Sequence, residues 1–396
     1  MKPETAEGGG SPGAPKGGLA PSNTTGGMGI FMRRILMILI FSLLLAAPAH
    51  ASDIEASQRS ALGLEGIEQG APDEAKDIMG DIVIDGETSF ESGISKIAAA
   101  AKSMLGGIAA DGIRGAAVIM IIVILVSLAG SIYEDGPVPS YVSFAGVIAI
   151  SAALLANGKA LVMLGAATLS SICDFSKMLL PALAAAGAAT GAVSSAPAKY
   201  AATALFMDIL LTAVNSVIMP MVYAYIAVSI ASAAVPGDAL TSIKKLIKWA
   251  CTTVLTGLVL VFTTYMSLTG VVTGASDAAV TRLAKTTIST AIPVVGGIVS
   301  DAAGTVLAGA AMLRNGIGVF GMLCIICLCL APFLRLGLNY LVFKAVSGLS
   351  SALLDNKMSG LISDIGSAFG IVLGVVGAGA IMLFFSLIAS MKAVGL

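Results

Sequence analysis

Histidine is all but missing from this chain, where His50 is the single copy among 396 residues, and charge is scarce, with Asp, Glu, Lys and Arg together at 11%. Soluble domains carry roughly 25% charged residues, so this composition cannot clothe an ordinary water-exposed surface. Without His, the usual general base, catalytic triad and zinc sites have no donor. A Gly-x-x-x-x-Gly-Lys phosphate cradle is also absent, because Ala153 stands where the first glycine before Gly158 and Lys159 would be. No pair of aspartates within the apolar segments has aspartyl-protease spacing, so neither an enzyme nor a cofactor is expected. Net charge is −1 and no run of Lys and Arg occurs, which argues against a nucleic-acid partner. The five cysteines, Cys173, Cys251, Cys324, Cys327 and Cys329, are odd in number and lie in or beside apolar segments. Cys324 and Cys327 have redox spacing, but in such surroundings a thiol stays protonated and packs as a small hydrophobe.

What the chain has in abundance is apolar length. Hydrophobic residues make up 57% and mean hydropathy is +0.96. The expected fold is all-α: a polytopic membrane bundle of about six to eight spans, with interfacial amphipathic helices and a small N-terminal extracytoplasmic arm. Residues 1–29 are a Gly, Pro and Ser-rich extension without core formers. Residues 30–51 read as a signal peptide: Arg33 and Arg34 precede a short apolar run, and Ala49-His50-Ala51 supplies the small residues for cleavage after Ala51. An uncleaved anchor is the other reading. Residues 52–113 hold twelve acids against four bases, either a solvated lead-in or a partner-docking arm. Within it Ile94, Ile97, Ala101, Met104, Leu105 and Ile108 recur at helical spacing behind Ser92, which predicts a helix lying along the membrane surface.

Residues 114–396 form the transmembrane domain. Hydropathy picks out stretches at 115–132, 141–156, 161–193, 201–217, 219–235, 250–272, 316–334 and 369–391. The third carries Asp174, Lys177 and Pro181, and is either one broken span or an interfacial helix with a re-entrant half-helix. The fourth and fifth read as two spans hinged near Pro220. Two further stretches are amphipathic, one with Val280, Leu283 and Ile288 opposite Arg282 and Lys285, the other with Leu338, Leu341, Val342 and Val346 opposite Ser347 and Ser351. Such helices lie in the headgroup plane or line an aqueous vestibule. Lys244, Lys245 and Lys248 beside Trp249 are the densest basic cluster flanking a span, and the positive-inside rule puts them in the cytoplasm. Eight crossings that start outside satisfy this and place Arg335, Lys344 and Lys357 inside, while Arg282, Lys285 and Arg314 fall outside, against the bias.

Ionisable groups in a span mark pathways or partner contacts. Asp208 and Asn215, two turns apart on one helix face, are the candidates for a pathway, with a helix-helix hydrogen bond as the plainer reading; Asp174 and Lys177, three apart, are expected to pair with each other. Gly366, Gly370 and Gly374 repeat every four residues and predict close helix packing, inside the protein or against another subunit.

The run from residue 291 to 306, Ala-Ile-Pro-Val-Val-Gly-Gly-Ile-Val-Ser-Asp-Ala-Ala-Gly-Thr-Val, resembles the signature of the stage III sporulation protein AE family. Thr281-Arg-Leu-Ala-Lys285, Leu313-Arg-Asn-Gly-Ile-Gly318, Lys245-Leu-Ile-Lys-Trp249, Leu179-Leu180-Pro181 and Thr190-Gly191 are similar to it too. The extension before Met28 departs from the family. The resemblance implies a multi-pass subunit of a sporulation-specific channel or secretion-type complex that links mother cell and forespore, seated in the mother-cell membrane surrounding the forespore. It further implies a permease-like core powered by a separate ATPase subunit, with other membrane and ring-forming proteins of the same operon and a forespore protein across the intermembrane space as partners. Arg282, Lys285, Pro293, Gly296, Gly297 and Asp301 then become candidates for a gating loop. A scaffold that anchors ring-forming partners without a conduit is the alternative, and a self-sufficient secondary transporter the third; a homo-oligomer fits the first two.

Overall fold

In a computed structural model, the described residues are 51–80, 84, 90–132, 138–235, 237, 239–291 and 296–391, with backbone alone at 51–55, 138–140, 156–157, 239, 270–291 and 296–306. The extension, the signal peptide up to residue 50 with Ala49, the turn at 133–137 and Pro293 lie outside them. Residues 1–53 and 54–396 are separate units, and the second contains everything that follows apart from the first three residues of the first helix.

All regular elements among the described residues are helical. Three short helices, α1 (Ala51–Ala61), α2 (Leu64–Gln69) and α3 (Asp73–Met79), precede six long ones. These are α4 (Phe90–Ile132), α5 (Val138–Ala189), α6 (Ser195–Ala213) continued through a π turn (Val214–Ile218) into α7 (Met219–Ala234), α8 (Ala239–Ala291), α9 (Gly296–Ser350) and α10 (Asn356–Met391). Among the described residues, six helical rods, counting α6 and α7 as one, are long and apolar enough to cross a membrane.

The reading of eight stretches is corrected in two places. The stretches at 141–156 and 161–193 are one helix, α5, because Asn157-Gly158-Lys159 stays helical; Gly158 faces the Phe369 ring, and a Cβ there would sit 3.7 Å from it. Pro181 stays inside that helix, so neither a break nor a re-entrant half-helix is present. The stretches at 201–217 and 219–235 also join. A π turn leads into Pro220 at the start of α7, and its wider ring absorbs the missing N–H and the ring clash that a proline brings to a regular helix. Both amphipathic stretches likewise run on inside α8 and α9.

The arm folds onto the bundle. Leu64, Ile67, Ala75 and Ile84 are buried, and Arg59 joins Glu68 at 2.8 Å while also bonding the Ile84 carbonyl. Its amphipathic helix does not stop before the first span but continues through it as α4, with Ser92 inside the first turn. Gly112 meets Leu338 of α9 and Ser350 of α9 meets Met120, so the start of the apolar length of α4 lies beside the last turns of α9.

At the centre stands α10, packed by α5, α6, α7, α8 and α9. Ile362, Ile365, Phe369, Val372, Val376, Leu383 and Leu387 are buried on one face, Val375 and Met382 on another; a broad apolar surface is what a central helix needs. Lipid is as apolar as leucine, so close contact rather than the hydrophobic effect must hold such helices together. Glycines supply it: a Cβ on Gly379 would lie 2.6 Å from Leu169, and one on Gly366 would lie 3.0 Å from the Phe343 Cβ and 3.6 Å from the Tyr340 carbonyl. A Cβ on Gly370 would meet Tyr340 at 3.1 Å, whereas Gly374 is exposed with Leu255 no nearer than 3.8 Å, so the repeat packs internally at Gly366 and Gly370 and opens to a groove at Gly374.

Candidate functional site

Both ends of α10 are gripped by cations from other helices. At its N-terminal end, Lys244 and Lys248 stand one turn apart on α8, and Lys344 projects from α9 at the point where Gly366 lets that backbone come close. Lys244 Nζ lies 2.6 Å from the Asp364 carboxylate, with both side chains about four-fifths buried, and the Tyr225 hydroxyl of α7 donates to its other oxygen at 3.0 Å. Lys344 donates to Ser363 Oγ at 2.6 Å, to Ser363 O at 3.0 Å and to Ser367 Oγ at 2.9 Å. Lys248 reaches Ser367 Oγ at 3.4 Å. Three positive charges thus surround one bonded carboxylate.

At the C-terminal end the cations are Lys199 of α6 and Arg314 of α9, each 3% exposed. Lys199 donates to the Ala389 carbonyl at 2.8 Å, and Arg314 to the Met391 carbonyl at 3.0 Å and to Thr190 Oγ1 at 2.9 Å. These last-turn carbonyls of α10 have no partner within the helix and carry its negative dipole end, which favours cations there. Thr190 is held in turn by the reversal after α5, where Gly191 takes φ 95° and the Ala192 N–H donates to Gly187 O. A hydroxyl pair, Thr203 and Ser386 at 2.6 Å, lies just inside. Between the two ends, residues 368–385 carry no charge and rise ~27 Å, close to the ~30 Å hydrocarbon core of a bilayer.

Of the residues expected from sequence, Lys177 and Asp208 line one small hollow, and Asp174 pairs with Lys177 beside it. Asp174 and Lys177 pair at 3.2 Å on the outer face of α5, both largely exposed. Asp208, exposed on α6, joins Lys177, Cys173 and Tyr200 around a cavity of about 230 Å³. Asn215, in the π turn, is exposed and does not line that cavity. For Arg282, Lys285, Gly296, Gly297 and Asp301 the backbone is helical and the side chains are outside the described set; Ala51 opens α1 on the same terms. All five cysteines are buried and free.

Sequence reasoning missed Asp364 and the helix-capping role of Lys199 and Arg314. A signal for the first existed: Ser363 and Ser367 lie one turn apart on either side of Asp364, at the mouth of an otherwise apolar helix.

A family model described as Stage III sporulation protein AE matches residues 75–395. A curated protein, Stage III sporulation protein AE of Bacillus subtilis (strain 168), is 22% identical over 219 residues, covering 55% of this chain and 55% of that one. The match therefore spans about half the length of that relative. No solved structure matches.

Proposed function

This chain belongs to the stage III sporulation protein AE family, and from that premise we propose that it is the permease-like membrane subunit of a channel or secretion-type complex joining mother cell and forespore. It sits in the mother-cell membrane, is powered by a separate ATPase subunit, and shares its conduit with neighbouring subunits rather than enclosing one. One observation supports the shared conduit. The bundle axis is filled by buried side chains of α10, whereas Asp208 is exposed on the outer face of a rod apolar enough to span a membrane. A charged group facing lipid costs about 2.5–3.5 kcal/mol on insertion scales, so the face bearing Asp208, Asp174 and Lys177 meets water or protein.

The scaffold reading draws on α4, where only 11% of the span is buried and a broad apolar face awaits lipid or a neighbour. Asp208→Ala together with Asn215→Ala separates the two. A conduit lining loses its polar groups, so late forespore reporter expression should fall at least tenfold with the protein still accumulating in the membrane. Unchanged expression at normal abundance would leave the scaffold.

A further inference from the structure

We propose that the groove between α8 and α10 binds an anionic phospholipid, its phosphate held by Lys248 and Lys344 and one acyl chain lying along α10. The charge balance starts the argument. Lys244 takes the Asp364 carboxylate at 2.6 Å, and among the described residues Lys248 and Lys344 bond only neutral oxygens, of Ser363 and Ser367. Among these residues two positive charges are left over, Lys344 partly buried and Lys248 exposed beside it, and a charge withdrawn from water, as that of Lys344 is in part, is costly without a counter-ion. A bilayer always offers one counter-ion, the lipid phosphate.

The space beside the cations fits the rest of such a molecule. One turn deeper than Lys248 and Ser367, a hollow of about 630 Å³ opens between the two helices, lined by Thr252, Leu255, Thr256, Phe333, Gly370 and Gly374 among others. Its α10 wall is bare because it is glycine: a Cβ on Gly374 would come no nearer than 3.8 Å to Leu255, and one on Gly377 no nearer than 3.6 Å to Phe333. From Gly370 to Ile381, the lining residues at its two ends on α10, the helix rises ~16 Å, about half the ~30 Å hydrocarbon core and so the depth of one leaflet. Trp249, 62% exposed beside Lys248, is the kind of residue that settles at headgroup level. The basic end belongs on the cytoplasmic side by the positive-inside rule, where the leaflet surface is negative. A helix of a second copy is the rival occupant, but an apolar helix would leave both lysines without an anion.

Trp249 is the only tryptophan in the chain, so its fluorescence reports the mouth of the groove directly. The full chain is reconstituted in phosphatidylcholine vesicles containing either phosphatidylglycerol or phosphatidylcholine with brominated acyl chains at equal fraction. Brominated phosphatidylglycerol should quench more strongly, and Lys248→Gln should lower its apparent affinity roughly fivefold, the effect of about one surface lysine. Lys248→Arg should keep the preference, and Gly374→Leu, which fills the groove and leaves the charges, should weaken it. Lys248 is exposed, so its variants test binding without threatening the fold. Equal quenching by the two lipids would overturn the proposal, as would a preference that survives Lys248→Gln combined with Lys344→Gln. Displacement of the brominated lipid by millimolar inorganic phosphate would assign the lysines to a free anion instead. Efficient disulfide crosslinking between copies carrying Gly374→Cys would give the groove to a second chain.

Discussion

The two ends of α10 are held by the same kind of side chain through opposite chemistry. At the C-terminal end Lys199 and Arg314 bind backbone carbonyls, acceptors that no substitution can remove. Towards the N-terminal end, Lys244, Lys248 and Lys344 rely mainly on side-chain acceptors, Asp364, Ser363 and Ser367, with the Ser363 carbonyl as a backbone partner of Lys344. The first end is a fixed clamp. The second depends on one carboxylate and carries surplus charge, which makes it the end open to an outside anion and to disruption by a single change.

The sharpest way to break this contrast is to push the lysine end apart. Gly366→Leu must displace Phe343 and the α9 backbone that carries Lys344, with an expected cost of about 3 kcal/mol or more; the protein should be lost from the folded, monodisperse fraction in detergent. Gly360→Leu, on the same helix with nothing within 4 Å of its Cβ position, is the control and should accumulate normally. Next in size, Asp364→Asn strands Lys244. A fully buried pair would cost 3–5 kcal/mol to break, but this one retains some exposure, so about 2 kcal/mol is expected, read as a lower midpoint of thermal unfolding. Adding Lys244→Met to Asp364→Asn should restore most of that loss, and failure to restore it would mean that the carboxylate acts through Tyr225 instead.

At the clamp, Arg314→Lys keeps the charge but cannot bridge both Thr190 and Met391. One hydrogen bond to a charged donor is lost, about 1.5–2 kcal/mol, whereas serine-to-alanine changes at the lysine end should each cost about 1 kcal/mol or less. If Arg314→Lys proves harmless by the same unfolding measurement, the C-terminal end is held by Lys199 alone. The smallest effect is expected for Lys248→Gln, within about 0.5 kcal/mol as for other exposed substitutions, even though it should change lipid preference.

Much of this was legible before any coordinates. Long apolar segments, the amphipathic arm and the four-residue glycine repeat are local patterns, and each became a helix or a helix contact. The joins were not legible. Hydropathy falls at Asn157-Gly158-Lys159 and a proline stands at Pro220, so both looked like breaks, but one interruption fits against Phe369 and the other is accommodated by a π turn. The pairing of Asp174 with Lys177 was readable because they are three residues apart on one helix. Asp364 was overlooked because its partners lie 120 and 139 residues away, and nothing near it in the chain announces them.

Composition and periodicity alone determined that this protein is built of apolar helices for a membrane, and its motifs pointed to its family, since each residue's preference for lipid or water is its own property. Which charges meet, where α10 is clamped and where positive charge is left over were decided only by tertiary packing. Those relations arise where glycine contacts bring distant helices within reach, and a one-dimensional pattern does not record that distance.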